Sequence, residues 1–351
     1  MTRSSSSVST FSAGPAPATR RQTPPPEVLV LMLGDLKSCV QNLAGIEAIR
    51  QGHKKARLTA LVTAPYSALV KACPHLDHVE VVEVPKTLRE TYRFVKPLRA
   101  ETFSWVYDLT HSDFTRGLRR WFLPFAPRWS GISPGCSHPL PVTNTGRHPL
   151  DRQAHQLWLA GLGPENAYAE NTAPATDLSW IFDARPGAPS MTPAFFGLSD
   201  DYVLLAPGDV PAAACWPLEK YRTLVEAVLA EDLMVAVLGG QGENVLARQI
   251  AGLDPRVRDL SGRTDVLQVT ALAAQARFAL GHANDVMHLV AASGVPTCVL
   301  YGGTADPDLS APRGQLVTCL HAKTVPDIDP QAVWQAMRAS GVFDAPLQAL
   351  A

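Results

Sequence analysis

The alternation of predicted strands and helices that decides the fold is clearest at residues 281–304, which read GHANDVMHLVAASGVPTCVLYGGT. Residues 278–280 before it form a short apolar run, VMHLVAAS has helical spacing, and residues 297–301 are again continuously apolar. Gly294 stands where the helix should end, because glycine readily adopts the left-handed conformation that closes a helix. A strand, a helix and a second strand in such close succession predict a parallel β-α-β unit.

The same alternation extends in both directions from this unit. Further strands are predicted at residues 28–33, 58–62, 79–84, 105–109, 202–205 and 234–238. Further helices are predicted at residues 39–49, 67–72, 151–162, 218–229, 243–251, 266–276 and 327–339. Residues 184–201 have the Pro- and Gly-rich composition of a linker and divide this series into two halves. Two doubly wound α/β domains facing each other across a cleft explain this order better than one large sheet.

Length and composition limit the kind of protein. A chain of 351 residues suggests two domains, and its 31 Lys and Arg against 32 Asp and Glu require no nucleic-acid partner. Residues 1–26 read as a disordered tail without the apolar run of a signal peptide. No stretch approaches the roughly 20 apolar residues of a membrane span. The six cysteines are widely spaced, so we expect a reduced, metal-free chain in the cytoplasm.

Asp35 is the first candidate for a chemical role. It follows the first predicted strand directly and precedes the first predicted helix. An aspartate at this position is a good helix N-cap, which is one interpretation. The other is a carboxylate at the cleft that accepts the proton of an acceptor hydroxyl. Ligands of open α/β sheets bind beyond the carboxyl ends of the strands, where Asp35 falls.

Three loops of the second half are candidates for binding a nucleotide. Gly208 ends a strand, and the backbone N–H groups of such a turn can face a phosphate. Glu243 at a helix start either complements the helix dipole or binds a ribose. Asn284 and Asp285 cap the helix that carries His288, so this N-terminus is either simply capped or the seat of a diphosphate.

The order of these loops resembles the bacterial ADP-heptose:lipopolysaccharide heptosyltransferase family, glycosyltransferase family 9, from about residue 28 to residue 312. Gly34-Asp35 resembles its first Gly-Asp turn, and ACPHLDHV at residues 72–79 is similar to its "NP-x-(V/I)-D" segment. DLSGRTDVLQVTALAAQAR at residues 259–277 and MHLVAASGVPTCVLYGGTADP at residues 287–307 are similar to two further family motifs.

The resemblance implies an α/β fold of the GT-B type, two Rossmann-like domains with parallel sheets facing a central cleft. Residues 27–183 would be the acceptor-side domain and residues 202–326 the nucleotide-sugar domain, with residues 327–351 packing back toward the first domain. The implied reaction is an inverting transfer of heptose from an ADP-heptose-like donor to a lipopolysaccharide-core or other cell-surface glycan acceptor, without metal or cofactor. The acceptor would be an anionic glycolipid, and we expect peripheral association with the inner face of the cytoplasmic membrane.

The resemblance also assigns roles to individual residues. Asp35 would be the general base and Glu243 a ribose ligand. The predicted donor-binding residues are Gly208, Glu243, Asn284, Asp285, Met287, His288, Gly302 and Thr304. Arg116 and Arg120 share a face if DFTRGLRRWF is helical, and would either bind the acceptor or form a solvated basic surface.

Two positions depart from the family pattern. The family has Asp-Thr-Gly where this chain has Ala283, Asn284 and Asp285, and it has a Lys before its Trp-Pro where this chain has Cys215. A phosphate-binding charge is therefore missing from its expected place. These departures keep open a non-catalytic descendant that binds a nucleotide or glycan, and a transferase with another nucleotide sugar such as a UDP-sugar.

Overall fold

The computed structural model describes residues 25–141, 146–163, 173–208, 214–240 and 245–343. They form two α/β domains, each built on one sheet of six parallel strands. The predicted architecture of two Rossmann-like domains is confirmed.

The N-terminal sheet has the strand order β3-β2-β1-β4-β5-β6. Its strands are β1 (Glu27–Met32), β2 (Arg57–Thr63), β3 (His78–Val82), β4 (Phe103–Asp108), β5 (Arg128–Gly131) and β6 (His138–Pro139). The helices of this half are α1 (Leu36–Leu43), α2 (Ile46–Gly52), α3 (Ser67–Ala72), α4 (Leu88–Ala100), α5 (Asp113–Leu118) and α6 (Pro149–Leu159). Short 3-10 turns add residues 64–66 and 119–122.

The C-terminal sheet has the strand order β12-β11-β10-β7-β8-β9. Its strands are β7 (Tyr202–Ala206), β8 (Met234–Val237), β9 (Val257–Asp259), β10 (Phe278–His282), β11 (Thr297–Gly302) and β12 (Val317–Ala322). Its helices are α7 (Leu218–Ala230), α8 (Val245–Ala251), α9 (Val266–Gln275), α10 (Asp285–Ala292), α11 (Pro307–Ser310) and α12 (Pro330–Ala339).

Strand β1 shows why the sequence is continuously apolar where a sheet is covered on both faces. Val28 and Val30 pack with the helices of one face, whereas Leu29 and Leu31 pack with those of the other. All four are fully buried. A parallel strand between two helical layers needs apolar side chains at every position, which is the pattern of this stretch.

The predicted helix over residues 39–49 is wrong in its extent. It begins earlier, at Leu36, because Asp35 caps it through the backbone N–H of Ser38. It also divides into α1 and α2 at Ala44 and Gly45. A Cβ at Gly45 would lie 3.0 Å from atoms of Gln153 and Leu157, so glycine at this junction allows α6 to cross closely.

One buried cluster spans the two domains. Leu267 and Ala271 of α9 and Leu289 of α10 belong to the same buried cluster as Val40 of α1 and Leu69 of α3. The predicted linker joins this cluster: it forms 3-10 turns at residues 189–191 and 193–196, and its Met191 is buried there. The segment between the domains is therefore part of their interface.

The closing helix α12 packs on the C-terminal domain. Its buried residues, Val333 and Met337, pack with Val203, Trp216 and Leu300 in the core of the C-terminal domain. Its buried face thus packs on its own domain, and the expected packing of residues 327–351 toward the N-terminal domain stays a prediction, since residues 344–351 lie outside the described residues. Among the described residues, none of the helices has the length and apolar character needed to cross a membrane.

Candidate active site

The strand orders place the two sheets' ligand crevices opposite each other. In each sheet the order reverses between the first and fourth strands, β1 and β4 in one and β7 and β10 in the other. Ligands of doubly wound sheets bind beyond the carboxyl ends of the strands at this point. Helix α1 follows β1 and helix α10 follows β10, and these two helices pack against each other across the cleft.

The turn that carries Asp35 is held by two threonines. The Thr110 hydroxyl accepts a hydrogen bond from the Leu33 backbone N–H at 2.8 Å. The Thr63 hydroxyl donates to the Gly34 carbonyl at 3.1 Å. Asp35 Oδ1 then accepts from the Ser38 backbone N–H at 2.8 Å, which is the N-cap predicted for this residue. The carboxylate is fixed in position but remains exposed to the cleft.

The local environment keeps Asp35 ionised. Burial disfavours its charged form, but hydrogen bonds from Ser38 and the positive charge of Lys37 outweigh this effect and lower the pKa of Asp35. A carboxylate with a lowered pKa is negatively charged at neutral pH. It is therefore able to accept a proton there.

Helix α10 presents its N-terminus to this carboxylate. Its N-cap is Asn284, whose Oδ1 accepts from the Met287 backbone N–H at 3.2 Å. A Cβ at Gly281 would lie 2.8 Å from the Ala206 carbonyl oxygen, so only glycine allows β7 and β10 to approach this closely at their ends. The backbone N–H groups of the first turn form the positive end of the helix dipole.

Asp35 and Asp285 oppose each other across the cleft. Burial and the negative charge of Asp35 raise the pKa of Asp285, whereas the backbone amide and the charge of Lys37 lower it. Tyr66 lies beside both acids: burial and the charges of Asp285 and Asp35 raise the pKa of its hydroxyl. The cleft thus brings two carboxylates, a phenol and an ammonium group together from the two domains.

His288 lies behind this group and is neutral. It is 6% exposed, and burial together with the positive charges of Lys37 and His148 lowers its pKa to about 3. His148, at the start of α6, forms a hydrogen bond of 2.9 Å through Nε2 with the Ala311 carbonyl of the other domain. Lys37, His148 and His288 therefore form a polar cluster at the domain interface.

A cavity of about 510 Å³ opens beside the Asp35 turn. The N-terminal domain contributes Leu36, Pro65 and Tyr66 to its lining. The C-terminal domain contributes the ends of β7 and β8 and the starts of α9 and α10, including Gly208, Gly239 and Asp265. This volume lies in the range of small-molecule and cofactor sites.

The predicted donor residues fall into three groups. Gly208, Asn284 and Asp285 line the cavity, and the Gly208 backbone adopts φ +76° next to the Asn284 amide. Met287 is fully buried in the core of its domain, which removes it from direct ligand contact in this arrangement. His288 is buried behind the helix terminus.

The other predicted residues lie elsewhere. A Cβ at Gly302 would lie 2.7 Å from the Val325 backbone nitrogen, so Gly302 is packed against the 3-10 turn at residues 325–327 and not against the cavity. Thr304 is exposed outside the cavity lining. Arg116 and Arg120 are exposed on the outer helical layer of the N-terminal domain, also outside the lining. Glu243 lies outside the described residues.

Three residues of the cleft were not predicted. Lys37 and Tyr66 come from the N-terminal domain and act on residues of the other domain, so their proximity depends on how the domains dock. His282 ends β10 and accepts the Trp216 backbone N–H through Nε2 at 3.1 Å. Burial lowers its pKa to about 4, which keeps the ring neutral and able to accept. Only His282 had a local signal, a histidine at the carboxyl end of a buried strand.

Comparison with known proteins finds a family model that matches part of the chain and solved structures that share its fold. Residues 165–333 match the model of glycosyltransferase family 9 (heptosyltransferase). No curated protein sequence matches the chain.

Three solved structures are similar over nearly their whole length. A glycosyl transferase family 9 protein of Veillonella parvula has a TM-score of 0.74 at 15% identity, covering 91% of this chain and 98% of that one. The E. coli heptosyltransferase WaaC, solved with ADP, has 0.71 at 15%, covering 90% and 99%. The E. coli ADP-heptose lps heptosyltransferase II has 0.69 at 16%, covering 90% and 98%. At these identities the likeness is one of fold, and it confirms the GT-B architecture.

Proposed function

Over residues 165–333 the chain matches glycosyltransferase family 9, the heptosyltransferase family, and from that premise we propose an inverting transfer of heptose from ADP-heptose to a lipopolysaccharide-core acceptor. One observation carries the proposal: the carboxylate of Asp35 faces the N-terminus of α10 across the cleft, beside a cavity lined by both domains. The two solved E. coli relatives named for ADP or ADP-heptose support the choice of donor.

In the proposed reaction Asp35 accepts the proton of the acceptor hydroxyl. The hydroxyl oxygen forms a bond to the anomeric carbon from one face while the bond to the diphosphate oxygen breaks on the other, so the configuration inverts. The negative charge that develops on the leaving diphosphate is stabilised by the N-terminus of α10, where backbone N–H groups and the helix dipole converge. The charge of Lys37, next to both Asp35 and Asp285, adds positive potential there.

For the donor we propose that Gly208 and Asn284 contact the diphosphate and that Asp285 hydrogen-bonds to it or to the sugar. The raised pKa of Asp285 reduces the repulsion that a second carboxylate would exert on a diphosphate. His288 has a supporting role behind the helix terminus. Glu243 remains the proposed ribose ligand, and Gly302, Thr304 and Met287 are assigned no contact.

For the acceptor we propose an anionic glycolipid that enters from the N-terminal domain, with Arg116 and Arg120 meeting its charged groups at the surface. Both guanidinium groups are exposed. The proposed location is therefore the inner face of the cytoplasmic membrane, where such an acceptor is reached from the cytoplasm.

The test is a transfer assay with Asp35→Asn, in which asparagine keeps the N-cap but cannot accept a proton at neutral pH. We expect product formation to fall below detection while calorimetric titration still shows ADP binding. Asp329→Asn is the matched control, because Asp329 caps α12 in the same way, away from the cleft.

Two results would contradict the proposal. Retained turnover by Asp35→Asn would show that Asp35 is not the general base. Nucleotide binding by the wild-type chain, with no sugared product from ADP-heptose, other ADP-sugars or UDP-sugars, would favour a binding protein without transferase activity.

A further inference from the structure

Helix α4, helix α5 and the 3-10 turn at residues 119–122 form one outer layer on the N-terminal sheet. Val95 and Leu98 of α4 and Phe122 of the turn pack into the same buried cluster against β1 and β4. Phe94 of α4 and Phe114 of α5 are in edge-to-face contact, with ring centroids 5.7 Å apart. The other side of this layer faces outward, and we call it the outer helical face.

The outer helical face and the turn that follows it expose an unusual amount of apolar surface. Leu88 and Tyr92, one helical turn apart, are 73% and 57% exposed. Leu123 and Phe125 are 48% and 92% exposed. Four of the eleven large hydrophobic residues that are exposed in the described parts of the chain lie between Leu88 and Phe125. Such a concentration marks an interaction surface more often than chance exposure does.

The same face is strongly basic, although the whole chain has a formal charge of -1. Residues 86–125 hold eight Lys and Arg against four Asp and Glu. Of these acids, Asp108 is fully buried beneath the face and Glu90 caps the start of α4 through the backbone N–H groups of residues 86 and 87. The exposed cations are Lys86, Arg89, Arg93, Lys96, Arg99, Arg116 and Arg120, and the two remaining acids, Glu101 and Asp113, are also exposed.

We propose that the outer helical face docks onto the surface of an anionic lipid bilayer. Arginine and lysine side chains are attracted to anionic headgroups, and exposed Leu, Tyr and Phe insert at the headgroup boundary. A second copy of the chain does not fit, because two such faces would set like charges against each other. A nucleic acid matches the charge but gains nothing from burying Leu88 and Leu123.

The position of the outer helical face relative to the cleft supports docking of the chain by this face. Helix α4 follows β3 and helix α5 follows β4, so both begin at the carboxyl edge of the sheet, where the Asp35 turn lies. Docking by this face leaves the cavity free, because none of its residues belongs to the lining. The inference does not depend on which sugar is transferred.

The test is co-sedimentation of the full chain with vesicles of phosphatidylcholine alone and with vesicles that also contain phosphatidylglycerol. We expect binding to the anionic vesicles only, weakened by salt. Removing one cation near an anionic surface weakens binding about fivefold. Arg89→Gln/Arg93→Gln should therefore weaken vesicle binding roughly 25-fold. Tyr92→Ser/Phe125→Ser should also weaken it, and this loss should not depend on salt, because it comes from apolar insertion.

The matched control is Arg222→Gln/Arg338→Gln, which removes two exposed arginines from α7 and α12 of the other domain. It should bind like wild type. Circular dichroism and thermal melting of each variant check the fold, which exposed positions should not disturb.

Four results would overturn the proposal: no binding of wild type to anionic vesicles, equal loss in the control, concentration-dependent dimerisation that the face variants abolish, or duplex DNA bound more tightly than the vesicles. The assay needs no sugar transfer, so its failure and the failure of the proposed reaction are separate results.

Discussion

Arg313 of the C-terminal domain forms a two-pronged ion pair with Asp151 of the N-terminal domain, with Nη1 2.7 Å from Oδ1 and Nη2 2.5 Å from Oδ2. Asp151 is 1% exposed, and its Oδ1 also accepts the Ala173 backbone N–H at 3.0 Å. Together with the bond between His148 and Ala311, this pair joins the start of α6 to the loop after α11. The link lies beside the polar cluster of Lys37, His148 and His288, so it holds the cleft in the arrangement described above.

Replacing Arg313 by alanine should destabilise the protein by about 3–5 kcal/mol, because Asp151 would remain buried and charged without its partner. The double variant Asp151→Leu/Arg313→Met should cost less than Arg313→Ala, since it removes both charges. Urea unfolding of the full chain measures both. Arg222→Ala is the control, because its pair with Glu219 is exposed and should contribute at most about 1 kcal/mol. Equal losses for Arg313→Ala and Arg222→Ala would contradict this view of the interface.

Replacing Lys37 by alanine should shift the acid limb of the transfer reaction. If Asp35 is the base, kcat/KM falls as the pH drops through its pKa, which hydrogen bonds from Ser38 and the charge of Lys37 keep low. Loss of the Lys37 charge raises that pKa, so the acid limb should move to higher pH. The control is Lys71→Ala, which removes an exposed lysine on α3. An acid limb unchanged by Lys37→Ala would mean that a group other than Asp35 titrates there.

Replacing Gly281 by alanine should destabilise the C-terminal domain and weaken ADP binding. The added Cβ would meet the Met287 sulfur and lie 2.8 Å from the Ala206 carbonyl oxygen, and backbone cannot yield as a flexible side chain can. Overpacking of this kind costs typically 1–3 kcal/mol. Gly146→Ala is the control, since a Cβ there meets nothing within 4 Å. Thermal melting and calorimetric titration with ADP give the two readouts, and a stable variant with normal ADP binding would show that α10 can shift freely.

The parts of the fold that were predictable are those whose physical cause lies within one short stretch of sequence. The buried strands β1, β7, β10 and β11 are continuous apolar runs, and Asn284 and Gly294 mark the ends of α10. The Asp35 turn was placed at the cleft because it follows a strand end. These features depend on local periodicity and capping, which a single sequence shows.

The parts that were missed depend on contacts distant in sequence. Helix α4 has Pro97 inside it and a highly charged outer side, so its apolar spacing is weak in the sequence. The short strands β5, β6 and β9 have two to four residues each, too few for a period to be visible. The glycine at position 45 is explained only by the close crossing of α6, and the charge of Lys37 acts on His288 only because two domains dock.

Asp108 provides a prediction about pH that does not depend on the transfer reaction. It is fully buried at the end of β4, where its Oδ1 accepts the backbone N–H groups of Thr110 and His111 at 3.1 and 3.2 Å. It thereby shapes the loop from which Thr110 holds the Asp35 turn. Burial raises the pKa of Asp108 from 3.8 to about 6, against hydrogen bonds from Thr115, His111 and Thr110 that lower it.

The sign of the effect follows from this raised pKa. Between pH 3.8 and about 6 the folded state holds a proton that the unfolded state has lost, so the contribution of Asp108 to stability falls as the pH rises through this range. The buried histidines act in the opposite direction, because burial lowers the pKa of His111 and of His282 to about 4 and their charging below pH 6.5 favours unfolding. Asp108→Asn leaves those histidines in place and keeps an oxygen for Thr110 and His111. The free energy of unfolding of the variant minus that of wild type should therefore be about 1–2 kcal/mol larger at pH 8 than at pH 5. Urea unfolding of both proteins at pH 5 and at pH 8 measures this change. If the difference between variant and wild type is the same at the two pH values, Asp108 does not titrate in this range.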